Sequence, residues 1–267
     1  PSMGGWRVVV MEDADRLTES AANALLKAIE EPGLRTVWLL CAPTLHDILP
    51  TIRSRCRHIQ LHTPSNNDVA KFLIEKHQIS PKMADFAARV SQGHIGRARH
   101  LATNEDVRNR RNAILSIPSQ LNSISAAYAA AAKLVDLANA ESDAISEALD
   151  EKEYEELSTA LGKGNNKALK ELEKEQKSRA TRITRDTLDG ALLDLATFYR
   201  DVILVQAGND GSLINAELED QINKMAANTQ SQRTLAKMDA IMKSRESLQR
   251  NGAPLLVMEA LMCELIK

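Results

Sequence analysis

The sequence predicts a short α/β segment followed by a longer all-helical region, and three observations predict it. Two continuous apolar runs, residues 8–11 and 36–41, have the length and character of parallel strands buried on both faces. Between them lies a stretch whose apolar residues recur at helical spacing, giving strand, helix, strand. Beyond residue 65 the helical period takes over, in a chain with only 3% aromatics and abundant Ala, Leu, Glu and Lys. At 267 residues, two or three compact units are expected.

The first strand runs straight into Glu12, Asp13 and Asp15. Three carboxylates cannot sit in a core, because burying unpaired charge is too unfavourable; they belong at the carboxyl rim of the sheet, where open α/β folds place ligands. Such carboxylates fit two descriptions. One is a plain acidic turn; the other is a nucleotide site in which one acid holds Mg²⁺ through water and a second polarises the attacking water. Thr18 is the expected N-cap of the following helix, with Glu19 in its first turn where the dipole favours negative charge. Leu17, Ala21, Leu25, Ala28 and Ile29 share one face, and Pro32-Gly33 stops the helix. Pro50 suits the first turn of a short helix, its missing N–H being unpaired there anyway. Residues 57–61 read as a last strand of this layer.

His62-Thr63-Pro64-Ser65 breaks the pattern. Helices are expected over 68–76, after Ser80-Pro81, and from Ile95 to Leu101, forming a three-helix unit. Residues 104–118 read as a charged connection and 123–140 as an Ala-rich helix. The strongly charged stretch 141–185, interrupted by Gly162-Lys163-Gly164-Asn165-Asn166, reads as two solvated helices joined by a turn. Residues 187–206 are amphipathic, two helices follow near 215–227 and 230–251, and Gly252-Ala253-Pro254 introduces a terminal helix. The expected boundaries are 1–62, 63–104 and 105–267, the last carrying the charged insertion 141–185.

Composition excludes several classes. A net charge of −2, with no basic stripe carrying interleaved aromatics, argues against a chain that grips nucleic acid through a global basic excess. Cys41, Cys56 and Cys263 are too few and scattered for a disulfide framework or a zinc site, and the six histidines show no metal-ligand spacing; no metal site is expected. Cys56 reads as a buried small apolar residue rather than a reactive thiol. With no apolar run of membrane-spanning length and no signal peptide, the expected location is cytoplasmic.

The order of motifs in residues 7–56 is specific. The acidic turn is followed by Asn23-Ala24-Leu25-Leu26-Lys27, then Glu30-Glu31-Pro32, the apolar run with Leu39-Leu40, and Ser54-Arg55-Cys56. In order and spacing this resembles the clamp-loader branch of the AAA+ ATPases. The resemblance implies the second half of an AAA+ parallel-sheet domain, then a helical lid over 63–104 and a helical collar over 105–267. No G-x-x-x-x-G-K-[ST] phosphate loop occurs, so the resemblance also implies a C-terminal piece of a longer protein.

It implies roles for four residues. Arg55, at the end of a short helix, fits either a local pair to a carboxylate or an arginine finger presented to a neighbour's ATP; the resemblance favours the finger. Glu12 and Asp13 would be the Walker B-like acids, but their order is reversed from the Asp-Glu of most hydrolysing relatives. The polar sensor 1 residue would fall at Ala42 or Pro43, and Thr44 could serve only if the loop were reshaped. Arg97, in Gly93-His94-Ile95-Gly96-Arg97, would be sensor 2-like, reaching nucleotide phosphates, or else a lid arginine making a salt bridge; Gly96 shifts the motif's register. The implied function is a clamp-loader subunit with weak or absent ATPase of its own. It would act on ATP and Mg²⁺ at a neighbouring site, in a pentameric ring with tau/gamma- and delta-type subunits that loads a sliding clamp onto primer-template DNA. A tau/gamma-like ATP-hydrolysing subunit and a helical scaffold with a relic ATPase domain remain as alternatives. Nothing in the chain could perform nucleotidyl transfer.

Overall fold

The computed structural model describes residues 5–161, 166–209 and 211–266, which divide into two compact units, 1–63 and 64–267. Most described residues are helical, and the sheet is a single two-stranded parallel pair. No helix among the described residues is long and apolar enough to cross a membrane.

In the first unit, β1 (Arg7–Met11) pairs with β2 (Thr36–Leu40), Val8 opposite Val37 and Val10 opposite Leu39. The crossover is α1 (Glu19–Glu30), whose N-cap Thr18 accepts the Ala21 amide at 3.2 Å. Truncating that cap, Thr18→Ala, is expected to destabilise the first unit by about 1 kcal/mol. Both tryptophans, Trp6 and Trp38, lie in this unit and Trp38 packs on its core, so urea unfolding followed by tryptophan fluorescence measures the loss. The stripe of α1 that meets the sheet runs through Ala22, Leu25, Leu26 and Ile29 and packs on Met11, Trp38, Leu40, Ile48 and Ile52. Ala28, expected inward, is exposed, whereas Ala22, near the start of the helix, is buried.

Two expectations are corrected here. The strands are not buried on both faces: Val8, Val10, Val37 and Leu39 are 56, 57, 39 and 46% exposed. Alternate residues of a strand point to opposite faces, and α1 covers only the face of Met11, Trp38 and Leu40. Residues 57–61 do not form a strand, and Ile59 and Leu61 are exposed. An apolar run becomes a strand only with a ladder partner, and among the described residues neither β1 nor β2 pairs with it. Pro50 does open a short helix, α2 (Pro50–Arg53).

The second unit begins with α3 (Asn66–His77), α4 (Pro81–Ser91) and α5 (Ile95–Thr103), which share a core of Val69, Leu73, Ala84, Ala87, Val90, Ala98 and Leu101. A reciprocal capping box starts α3: the Asp68 amide donates to Ser65 Oγ at 3.2 Å, and the Ser65 amide and hydroxyl donate to Asp68 Oδ2 at 3.3 and 2.6 Å. The Ser65 donors hold the Asp68 carboxyl below its ordinary value. A depressed carboxylate contributes stability that is complete above its unfolded value, about 3.9, and is lost as pH falls through the lower folded value. The Ser65 amide resonance should therefore titrate with a midpoint under about 3.9, and Asp68→Asn should abolish that titration.

The remaining helices are α6 (Glu105–Gln120), α7 (Ile124–Leu161), α8 (Asn166–Gln206), α9 (Glu219–Asn228), α10 (Ser231–Gln249) and α11 (Pro254–Ile266). Their core gathers Leu134, Leu188, Leu192, Leu195, Phe198, Tyr199, Ile222, Ile241, Met258 and Leu261. The charged connection expected over 104–118 is itself helical, α6 being capped by Asn104. The charged stretch 141–185 lies on two helices, as expected, but they are continuous with the helices expected over 123–140 and 187–206. It forms the distal ends of α7 and α8, because no Gly or Pro interrupts 124–161. The pairings Asn139 with Thr184, Ser142 with Ala180 and Glu153 with Arg179 show α7 and α8 running antiparallel. Arg179 reaches Glu153 at 2.6 and 2.7 Å and Asp150 at 2.5 Å, holding the Glu153 carboxyl below its ordinary value. The expected turn at 162–166 falls, but for Asn166, outside the described residues.

Candidate functional site

Glu12 and Asp13 follow β1 directly and are exposed at its carboxyl end. The Ala14 amide donates to the Cys41 carbonyl at 2.8 Å and the Cys41 amide to the Met11 carbonyl at 2.8 Å, which ties the acidic turn to the end of β2. Asp13 itself has a left-handed backbone, φ 50°, a conformation Asp tolerates better than most residues. Asp15 is half-buried, and its Oδ1 is sealed from solvent with no hydrogen-bond partner among the described residues. No cluster of three or more His, Cys, Asp or Glu able to hold a metal occurs among the described residues. Thr44 is committed locally: its hydroxyl donates to Asp47 Oδ2 at 2.8 Å and accepts the His46 amide at 3.2 Å.

Arg55 lies just beyond α2, anchored through three contacts. Its Nη1 donates to the Thr51 carbonyl at 2.8 Å and to Ser54 Oγ at 3.2 Å, and its Nε donates to Glu30 Oε1. Ser54 Oγ in turn donates to the Thr51 carbonyl at 3.1 Å. The side chain is 37% exposed, and Nη2 makes no hydrogen bond among the described residues. The partner was not evident from spacing, since Glu30 lies 25 positions earlier. Its signal was present in the Glu30-Glu31-Pro32 motif: a carboxylate in the last turn of a helix faces the wrong end of the dipole and gains from a cation. Cys56, expected buried, is exposed, although partial desolvation of its thiol still raises its pKa above the ordinary value.

Arg97 is held within the second unit. His94 caps α5, its Nδ1 accepting the Arg97 amide at 3.1 Å. Gly96 leaves room for that cap, since a Cβ there would stand 3.3 Å from the His94 ring. The Arg97 guanidinium pairs with Asp194 Oδ1 on α8, and the same oxygen accepts from Arg111 Nε of α6 at 3.1 Å. Arg111, 2% exposed, also bonds Glu217 at 2.9 Å and Asn215 Oδ1, and lies 5.9 Å over the Phe86 ring. Arg89 of α4 joins Glu217 at 3.0 Å and the Ile214 carbonyl at 3.0 Å. Three arginines from three successive helices thus converge on two carboxylates, one from α8 and one from the single 3-10 turn (Ala216–Leu218) before α9. The sequence reading missed this network; the buried positions of Arg111 and Asp194 fall among apolar residues, but nothing in their spacing pairs them.

Family models for "DNA polymerase III, delta subunit" and for its C-terminal part match residues 1–65 and 151–265. The chain is 38% identical over 96 residues to DNA polymerase III subunit delta' of Escherichia coli K12, covering 36% of this chain and 29% of that protein. It is 44% identical over 72 residues to subunit delta' of Haemophilus influenzae, covering 27% and 22%. It is also 36% identical over 73 residues to subunit gamma of Buchnera aphidicola, covering 27% and 20%. The chain spans less than a third of the length of these relatives. Matched at both ends by models of the polymerase III delta subunit and related in sequence to delta' subunits, the chain is delta-prime-like and resembles the clamp-loader subunits of DNA polymerase III.

Proposed function

We propose that the chain acts as a delta-prime-like subunit of an AAA+ clamp loader, lending Arg55 to the ATP and Mg²⁺ site of an adjacent subunit. Residues 1–62 would be the ATPase-like part, 63–104 the lid and 105–267 the collar that holds it in a ring with tau/gamma- and delta-type subunits. The ring would load a sliding clamp onto primer-template DNA for the polymerase. The observation that carries this reading is the anchoring of Arg55: one edge of the guanidinium is fixed to its own chain, and Nη2 is left for an incoming oxygen. A planar, permanently charged fork so presented matches the spread charge of phosphoryl transfer.

Its own ATPase would be weak or absent. Glu12 precedes Asp13 where most hydrolysing relatives read the reverse, the Thr44 hydroxyl is occupied by Asp47 and His46, and Arg97 is occupied by Asp194. These features favour a subunit that lends its arginine over a tau/gamma-like motor. The scaffold alternative draws on a single observation, the pairing of Arg55 with Glu30 inside one chain. DNA-stimulated ATPase of a reconstituted ring containing the full-length subunit, wild type against Arg55→Ala, separates the readings. A large fall in turnover with the ring still assembled supports the finger; wild-type turnover leaves a scaffold.

A further inference from the structure

We propose that Glu30 is the positioning residue of Arg55, a role that rests on the reading of Arg55 as a finger. A free arginine side chain samples many rotamers, and a finger acts only in the few that aim it at the neighbouring phosphate. Here the aim is set by two helix ends. The last turn of α2 supplies the Thr51 carbonyl and the Ser54 hydroxyl to Nη1, and the last residue of α1 supplies the Glu30 carboxylate to Nε. The α2 end alone would leave the guanidinium free to pivot about Nη1. The bond at Nε, on the far side of the guanidinium carbon, removes that pivot and fixes where Nη2 points. Glu30 can act as a stop because its backbone is rigid: Ile29 beside it is buried, and Glu31 closes the helix on the Lys27 carbonyl at 3.0 Å. Glu30 touches no reacting atom; it acts through Arg55.

The test is steady-state ATP hydrolysis by the reconstituted ring with the full-length subunit carrying Glu30→Ala, Glu30→Gln, Arg55→Ala or Glu30→Ala with Arg55→Ala. Glu30→Ala should lower kcat at the served site about tenfold with KM for ATP unchanged, because a misaimed finger weakens only transition-state contacts. Glu30→Gln keeps an acceptor oxygen and should restore most of the rate. On the Arg55→Ala background, Glu30→Ala should have no further effect. Wild-type turnover by Glu30→Ala, in a ring that Arg55→Ala slows, would overturn the positioning role and spare the finger. An equal loss from Glu30→Ala on both backgrounds would also overturn it, assigning Glu30 to the stability of α1. Wild-type turnover by Arg55→Ala would remove the finger reading itself, and the positioning role with it.

Discussion

Replacing Arg55 by alanine is expected to slow hydrolysis at the site it serves by about 10³-fold, the lower end of what an arginine finger contributes. The whole-ring rate would then fall by that site's share, or further if the sites fire in concert. The loss cannot come from unfolding. Arg55 and Glu30 are a surface pair, 37 and 44% exposed, and such pairs contribute only about 0–1 kcal/mol, so the thermal midpoint should hardly move. Arg55→Lys should not rescue. A lysine ammonium carries the charge but lacks the fork that holds Thr51 and Glu30 while offering a further nitrogen outward. Turnover measured at saturating ATP, beside a size-exclusion check of ring assembly, reads the effect directly. Turnover equal to wild type would leave Arg55 with its contacts to Glu30, Thr51 and Ser54 alone.

How far the sequence could be read depended on the range of the interaction. Thr18, Pro50 and Pro81 were legible as helix starts because a cap is decided within three or four residues. The placement of Glu12 and Asp13 was legible for the same reason, since a strand that ends in carboxylates must end at a rim. Burial was less legible. Val8 and Val9 look identical in sequence, yet one is exposed and the other half-buried, because a single helix covers a single face of the strand pair. Residues 57–61 had the composition of a strand but find no ladder partner among the described residues, which composition cannot report. Arg55 was legible as a residue to single out, whereas its contact with Glu30 spans 25 positions. Arg97 shows the limit most clearly. Its motif fits a phosphate-facing residue or a lid arginine making a salt bridge, and the carboxylate that pairs with it, Asp194, lies 97 positions away.

That carboxylate carries the second large prediction: Asp194→Ala should destabilise the second unit by about 3–5 kcal/mol. Asp194 Oδ1 accepts from both Arg97 and Arg111, and Arg111 is 2% exposed. Removing the acid leaves a guanidinium that water cannot reach with one carboxylate in place of two, and the penalty for under-compensated buried charge exceeds the modest gain of the pair itself. Glu217 and Asn215 remain on Arg111, so the loss should stay within that range rather than exceed it. The effect should also be strongly non-additive. Once Arg111 is replaced by methionine, which fills a similar space without charge, Asp194→Ala should be several-fold less damaging, because its main partner has gone. Helices α3 to α11 all lie in this unit, so far-UV circular dichroism in urea follows its unfolding. For a unit of this size the midpoint should drop by about 1–2 M. A drop under a few tenths of a molar would mean that water replaces the carboxylate, and that three arginines from α4, α5 and α6 do not depend on α8 to hold the small helical core against the long bundle.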